Sequence, residues 1–595
     1  MSKYNPIFII LVIALFVGIV IYNEYGESWD EESLQKYAIK SLAAYETWPR
    51  EGKLYLERED LAYYGPFYAM VVEAITSRLT LMLRPHPADL RHLMFFLTYL
   101  GGVLAFYMLA VRWLKIIPAI GVTLLFMTQP LLWGHAFINP KDTPFMSLFM
   151  LSVAFGFRME YFIQPIPLDS LSPPRRRILT LLTAFWLATI FPLFIFTEAI
   201  RGYIAALVLS AQAGGTNIIT LIAKNITAVP AEIYIDRYFL IFLQARAVYF
   251  VLLTALLLFV WHRLQPKLTE ILPDILVPAI LLGFATSTRI LGPFAGVIVA
   301  FFLIYRNGRQ AFPTLAMYAV IAMITTYLTW PYLWMNPVGR FFESLGEMAM
   351  YPWQGTTLFN GVAYSSKDLP FFYLPVLLAI QLTEPVWLLF IAGLIAAMYS
   401  LETKRGLILL TLLWFVIPFV ALVVFRVPLY DNFRQVLFIL PPVFLLGGAA
   451  IEKLKDMNWQ IAAIAVCLIP SAVGILNLRP FEYIYYNSFI GGVEGAHERF
   501  ELDYWGTSYR YAASYVNNEA SPNAAIWVEG PAQLFEEFAR EDLKIYSWHE
   551  AGRADSYEYV VSLTRYGLDK KSFPDAEVVY EIAFGKSVLA VVKKP

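Results

Sequence analysis

A chain of 595 residues, 58% hydrophobic and 15% charged, with a mean hydropathy of +0.57, does not fit a soluble domain, where about a quarter of residues carry charge. A formal net charge of −1 and a pI near 6.6 leave no basic excess for nucleic acid. The single cysteine, Cys467, excludes an intrachain disulfide and a cysteine metal cluster.

A bilayer core about 30 Å thick takes about 20 apolar residues per helix. The run from Pro6 to Tyr22 reads as a retained first span, because no A-x-A-like cleavage site follows it. Further spans are expected near 92–113, 116–134, 144–162, 178–199, 245–262, 272–287, 290–305, 312–332, 385–400, 406–425, 434–450 and 460–477, thirteen in all. Every second loop is basic: Arg112 with Lys115, Arg175 to Arg177, Arg263 with Lys267, Arg306 with Arg309, Lys404 with Arg405, and Lys453 with Lys455. Basic loops stay cytoplasmic, so the N-terminus is expected inside and everything after about residue 478 outside.

The expected fold class is therefore an all-α polytopic membrane domain with a small C-terminal α/β soluble domain. The boundaries are 1–478 for the membrane domain, with outer-face loops 23–91 and 333–384, and 479–595 for the extracytoplasmic domain. Segments such as LAYYGPFYAMVVEAITSRLTLML are too punctuated by charge for spans and read as interfacial helices, as does part of 201–244. In the tail, AAIWVEG, YEYVVSL and SVLAVVK read as strands and Ser508 to Asn517 as a helix.

Three features carry candidate chemistry. The first is E-S-W-D-E-E-S-L-Q-K-Y, just outside the first span. Ser28 and Glu31 have capping-box spacing, and Leu34, Tyr37, Ala38, Leu42 and Tyr45 follow at helical spacing, so Asp30 is expected in the first turn of an amphipathic helix. There it either complements the helix dipole, with Glu31 and Glu32, or presents an ionised carboxylate at the membrane surface. The second is H-A-F-I-N-P-K-D-T-P-F, an outer turn stiffened by Pro140 and Pro144. Asp142 is either a plain helix cap or a second carboxylate near Asp30. His135 is either an interfacial polar residue or a metal ligand.

The third is G-F-A-T-S-T-R-I-L-G-P-F-A-G, where Arg289 is the only charge from Ile275 to Tyr305. An intramembrane charge costs about 2.5–3.5 kcal/mol even on insertion scales, so a partner is expected: an anionic ligand, or a carboxylate such as Glu198 or Glu384. Arg201, Arg426 and Arg434 also lie at outward ends of spans, and guanidinium forks suit phosphate oxygens. P-loop, strand-placed G-x-G-x-x-G, G-x-S-x-G and H-E-x-x-H motifs are all missing, which lowers the prior on nucleotide chemistry, membrane hydrolases and zinc proteases.

W-D-E-E-S in the first outer loop, with N-P-K-D-T-P-F, S-T-R-I-L-G, W-P-Y-L-W-M-N-P, Y-P-W-Q-G, L-Y-D-N-F-R-Q, E-Y-I-Y-Y-N-S-F-I-G-G and D-Y-W-G, resembles the GT-C membrane glycosyltransferases. Within them the likeness is to a bacterial, family 39-like branch of the protein O-mannosyltransferase and aminoarabinose transferase superfamily, over essentially the whole chain. The resemblance implies inverting transfer of a sugar from a polyprenyl-phosphate carrier to an acceptor hydroxyl of a protein, lipid or glycan at the outer leaflet of the cell membrane. It matches Asp30 to the catalytic carboxylate, Glu31 to its acidic neighbour and Asp142 to the second outer-loop acid. Donor phosphate contacts are then expected from Arg289, Arg201, Arg426, Arg434 and Lys141. Some relatives hold the donor phosphate with a divalent metal, and that requirement stays open, as do the sugar and the acceptor. The rival class is a transporter or flippase for a lipid-linked or anionic substrate, since intramembrane charges also mark transport paths. Large outer loops and a folded tail are unnecessary for alternating access.

Overall fold

The computed structural model describes residues 5–52, 54, 59–163, 172–223, 225–264, 272–351, 353–548 and 556–595. Lys267 of the basic loops and Pro352 of Y-P-W-Q-G lie outside the described residues. Every expected span has a helix, yet among the described residues seven stretches are long and apolar enough to cross a bilayer, or nine if each of two bent pairs is one span, against thirteen expected. The difference is one of length. Pro293–Thr329 counts once, although Gly308 at φ +58° breaks it into Pro293–Asn307 and Phe312–Thr329. Leu272–Thr286 and Pro441–Glu452 are apolar but short, and 12 residues at 1.5 Å each rise only about 18 Å. The chain is an integral, multi-pass membrane protein.

Packing divides the chain into two units: Met1–Gln35, Val71–Ala154 and Ala349–Pro595 form one, and Lys36–Met70 with Phe155–Met348 the other. In the first unit two helices break inside the apolar region. Ile116–Met127 turns by 58° into Pro130–Ile138, and Tyr373–Gln381 by 108° into Glu384–Met398. Breaks strand backbone groups that water cannot reach. Here they serve each other: Gln129, at the first break, donates to the Gln381 carbonyl (3.2 Å) and accepts from the Thr383 hydroxyl (3.0 Å). Asn487 closes the second, donating through its side chain to the carbonyls of Ala379 (2.8 Å) and Leu382 (2.9 Å).

The three expected tail strands form, with two that the pattern does not announce. The sheet runs β4 (Lys544–Tyr546), β3 (Ala525–Glu529), β5 (Tyr559–Leu563), β7 (Ser587–Lys594), β6 (Glu577–Phe584). β3 is parallel to β4 and β5, while β7 is antiparallel to β5 and β6. The helix Tyr509–Glu519 matches the expected one to within two residues. A hairpin of β1 (Thr356–Phe359) and β2 (Val362–Ser365), turning through Asn360 and Gly361 at positive φ, was not expected.

The second unit holds Pro173–Ile195, Thr197–Gln212 and the 34-residue helix Ala231–Leu264, so helices do occupy 201–244. Arg246, buried in that long helix, donates to the Thr197 hydroxyl (2.9 Å) and the Trp334 carbonyl (2.8 Å) and stacks 4.4 Å over Phe194.

Candidate active site

From Asn5–Ile21 the chain passes through a turn at Tyr22–Glu24 to Asp30, and two contacts fix its course. The Trp29 amide donates to the Trp505 carbonyl (3.0 Å), and a Cβ on Gly26 would lie 2.1 Å from the Thr507 carbonyl oxygen, so the E-Y-G-E-S segment needs glycine there. The helix Glu31–Glu51 then starts, with the Leu34 amide donating to the Asp30 carbonyl (3.1 Å). Asp30 thus precedes the first turn rather than lying in it. Glu31 accepts from the Ser28 amide (2.8 Å) and hydroxyl (2.9 Å), which is half of the expected capping box: the Glu31 amide donates to the Ser28 carbonyl (3.0 Å) rather than to its hydroxyl.

N-P-K-D-T-P-F supplies the next groups. Asn139, not Asp142, is the cap: its Oδ1 accepts from the amides of Lys141 (3.0 Å) and Asp142 (2.7 Å) and starts the helix Asp142–Arg158. Lys141 Nζ reaches Asp30 Oδ2 at 2.7 Å. The Asp142 carboxylate, fully buried, accepts from Arg434 Nη1 (3.0 Å) and Asn139 (3.1 Å).

L-Y-D-N-F-R-Q carries the rest. Asp431 and Asn432 both take left-handed backbone, at φ +53° and +61°, which Asp and Asn tolerate better than other side chains. That turn aims Asp431 Oδ2 at Arg434 Nη2 (2.9 Å) and Oδ1 at Arg565. Arg434 is 4% exposed, lies 4.4 Å over the Trp505 ring and 5.1 Å over Tyr430, and places Nη2 3.8 Å from Asp30. Arg565 follows β5, donates to the Tyr504 carbonyl (2.6 Å) and faces Trp29 and Tyr566. Its Nε, with Trp505 Nε1 and Asn432 Nδ2, is a buried donor with no hydrogen-bond partner among the described residues. Unsatisfied buried donors of this kind await water or a ligand.

Asp30 is the accessible carboxylate of the group, its side chain 31% exposed where those of Asp142 and Asp431 are 1% and 8%. Burial pushes its carboxyl up, but Lys141, Arg434 and Arg565 together outweigh burial and hold it below the usual range. Arg434 and Arg565 are held above the usual guanidinium range, because Asp431 overcomes the cost of burying them. Burial raises Glu501, whose Oε2 lies 3.7 Å from Arg565.

Of the expected site residues, Asp30, Lys141, Asp142 and Arg434 come together. Glu31 does not face them. It is buried with Ser28, His92 (3.3 Å) and Arg91 (3.3 Å), in a group where burial first and Glu31 second push the Glu27 carboxyl up to about 9. Arg426 is exposed, at φ +48°. Arg201 and Arg289 belong to the other unit. Arg201 pairs with Asp236 (3.1 Å), and Arg289 lies in the turn between Leu272–Thr286 and Pro293–Asn307 rather than within a span. His135 bonds Tyr504 (3.0 Å) and Asn139 (3.2 Å). Among the described residues no three His, Cys, Asp or Glu side chains are grouped to hold a metal ion.

The sequence reading passed over Asp431, Arg565, Trp505 and Asn139. Asp431 had a signal in the Asp-Asn pair of L-Y-D-N-F-R-Q. Arg565 had none, since nothing in its spacing separates it from other charges of the tail.

No family model matches the chain, and no curated protein matches it. Among solved structures it is similar to ArnT from Cupriavidus metallidurans in the apo state, at 13% identity and TM-score 0.45, over 98% of this chain and 97% of that one. The same enzyme bound to undecaprenyl phosphate gives 14% identity and TM-score 0.45, with the same coverage. The oligosaccharyltransferase AglB from Archaeoglobus fulgidus, in complex with an inhibitory peptide and a dolichol-phosphate, gives 12% identity and TM-score 0.37, over 96% of this chain and 70% of that one.

Proposed function

We propose that the chain is an inverting glycosyltransferase of the outer membrane face, moving a sugar from a polyprenyl-phosphate carrier to an acceptor hydroxyl. The observation that carries this reading is one accessible carboxylate, Asp30, set against Lys141, Arg434 and Arg565 within a multi-pass membrane protein. The donor brings its own leaving group, so two things are required of the protein: a base for the incoming hydroxyl and positive charge for the departing phosphate. The acceptor oxygen attacks the anomeric carbon, its proton passes to Asp30, the bond from that carbon to phosphate oxygen breaks, and the lipid phosphate leaves with the electron pair. Lys141 and Arg434, both beside Asp30, supply positive charge to that phosphate. Asp142 and Asp431 hold Arg434 in position and keep its fork from folding away. A phosphate drawn to Lys141 also weakens its hold on Asp30, which raises the basicity of Asp30 when donor is bound.

The test is purified full-length protein in liposomes with a polyprenyl-phosphate sugar, followed by single-turnover loss of donor, hydrolysis to water included. Donor cleavage abolished in Asp30→Asn supports the reading. Movement of intact donor between leaflets without cleavage would instead make the chain a flippase.

A further inference from the structure

The first unit has a cavity of about 540 Å³, between the β1–β2 hairpin, the 497–503 segment and the turn after β5. Its size falls within the range of about 300–1,000 Å³ typical of small-molecule sites. Three observations make it more than a surface dent. Its walls include Glu501 and Asp503, both nearly fully buried, and Arg565, 7% exposed, whose Nε is a buried donor with no hydrogen-bond partner. Its mouth is crossed by an ion pair between Lys570 and Glu498 (2.6 Å). Its accessible aromatic, Tyr566, sits at φ +60°, ψ +11°, where an aromatic side chain is strained and glycine is not. Strained residues of this kind cluster at ligand sites.

We infer that this cavity is the acceptor subsite and takes a neutral carbohydrate, an inference that rests on the glycosyltransferase reading above. Carboxylates and amines around one flat aromatic face provide acceptors and donors for ring hydroxyls and a surface for the apolar face of a sugar ring. The mouth balances Glu498 and Asp569 against Lys570 and Lys571, which gives no preference for a polyanion or polycation. Arg565 is the wall the cavity shares with the charge cluster: one side lines the cavity, and the other is bound by Asp431, which also holds Arg434 beside Asp30. A sugar held here adjoins the charge cluster through Arg565.

Saturation-transfer NMR on the purified full-length protein tests this with three probes: maltotriose, chitotriose and a Ser/Thr-containing heptapeptide. The expected result is transfer to at least one trisaccharide, weakened at least about ten-fold in affinity by Tyr566→Gly, as for loss of an aromatic anchor. Tyr566→Gly relieves backbone strain but frees the unfolded chain and removes the ring 4.7 Å from Arg565, so its Tm is measured alongside. Lys570→Ala, at the exposed rim, provides a second variant with the same expected direction. No transfer to either sugar, transfer to the peptide alone, or undiminished sugar binding by both variants each overturns the proposal. Acceptor-independent donor hydrolysis, measured in parallel, separates the two readings. Sugar binding without any donor cleavage refutes the transferase and leaves the cavity, whereas cleavage without sugar binding does the reverse.

Discussion

The carboxylate of Asp431 binds the guanidinium of Arg565, 134 residues further along the chain, while its other oxygen holds Arg434. Both guanidiniums are almost wholly buried. Removing one partner of a buried pair leaves an uncompensated charge, typically at a cost of about 3–5 kcal/mol. Asp431→Ala is therefore expected to lower the Tm of the purified protein markedly and to reduce turnover by displacing Arg434. An unchanged Tm would show that water neutralises these arginines and that the bridge is dispensable.

Asp30→Asn keeps the shape of the side chain and removes the proton acceptor. General bases typically contribute about 10²–10⁴-fold, and a loss of that size in single-turnover transfer is expected while expression and lipid binding persist. Glu31→Gln is expected to affect the chemistry far less and the stability more, because Glu31 is buried against Arg91 and His92. Native-like transfer by Asp30→Asn would overturn the assignment of the base.

The pH dependence has a definite sign. Asp30 is held below the usual carboxylate range, so it stays ionised, and transfer continues, until the pH falls beneath that range. Its stabilising contribution follows the same rule: present above the unfolded-state pKa, lost as pH drops through the lower folded one. Lys141→Met removes the nearest opposing cation, at 2.7 Å, and is expected to move the acid limb of the pH–rate profile upward. A limb that does not move would place the controlling proton elsewhere.

The helical membrane part, the tail strands and four of the eight site candidates were legible because each depends on local pattern. Apolar runs mark spans, β-branched runs mark β3, β5 and β7, and short polar turns mark the ends where Asp30 and Lys141 sit. What escaped was set by distant packing. Arg289 falls between the expected spans 272–287 and 290–305, and that break is real; what hydropathy does not show is how the turn is packed, where a Cβ on Gly292 would lie 2.3 Å from the Thr286 amide nitrogen. The thirteen-span expectation assumed that each apolar run is a full crossing, whereas the breaks at Gln129 and Leu382 are stabilised by residues hundreds of positions away.

Gly26 tests that distant packing directly. Any side chain at this position meets backbone, the Thr507 carbonyl, rather than a side chain that can turn aside. Overpacking typically costs about 1–3 kcal/mol, so Gly26→Ala is expected to lower the Tm and, by shifting Trp29 from Trp505, to impair transfer. Unaltered stability would mean that the 25–30 segment adjusts freely.

Topology can be checked with one cysteine. The basic loops lead to the expectation of a tail on the outer face, and Ser556 is exposed. In a Cys467→Ser background, Ser556→Cys is expected to react with a membrane-impermeant maleimide in intact cells. Labelling only after lysis would put the charge cluster on the cytoplasmic side and end the outer-face mechanism.

The Trp29–Trp505 backbone bond and the Arg565 contact also bear on biogenesis. Trp29 waits for a loop that is synthesised several hundred residues later. A nascent protein already threaded into the bilayer holds Asp30, Lys141 and Arg434 but lacks the arginine that completes their surroundings. On the proposed reading, half-made copies are catalytically silent and cannot drain the pool of lipid-linked sugar while translation continues.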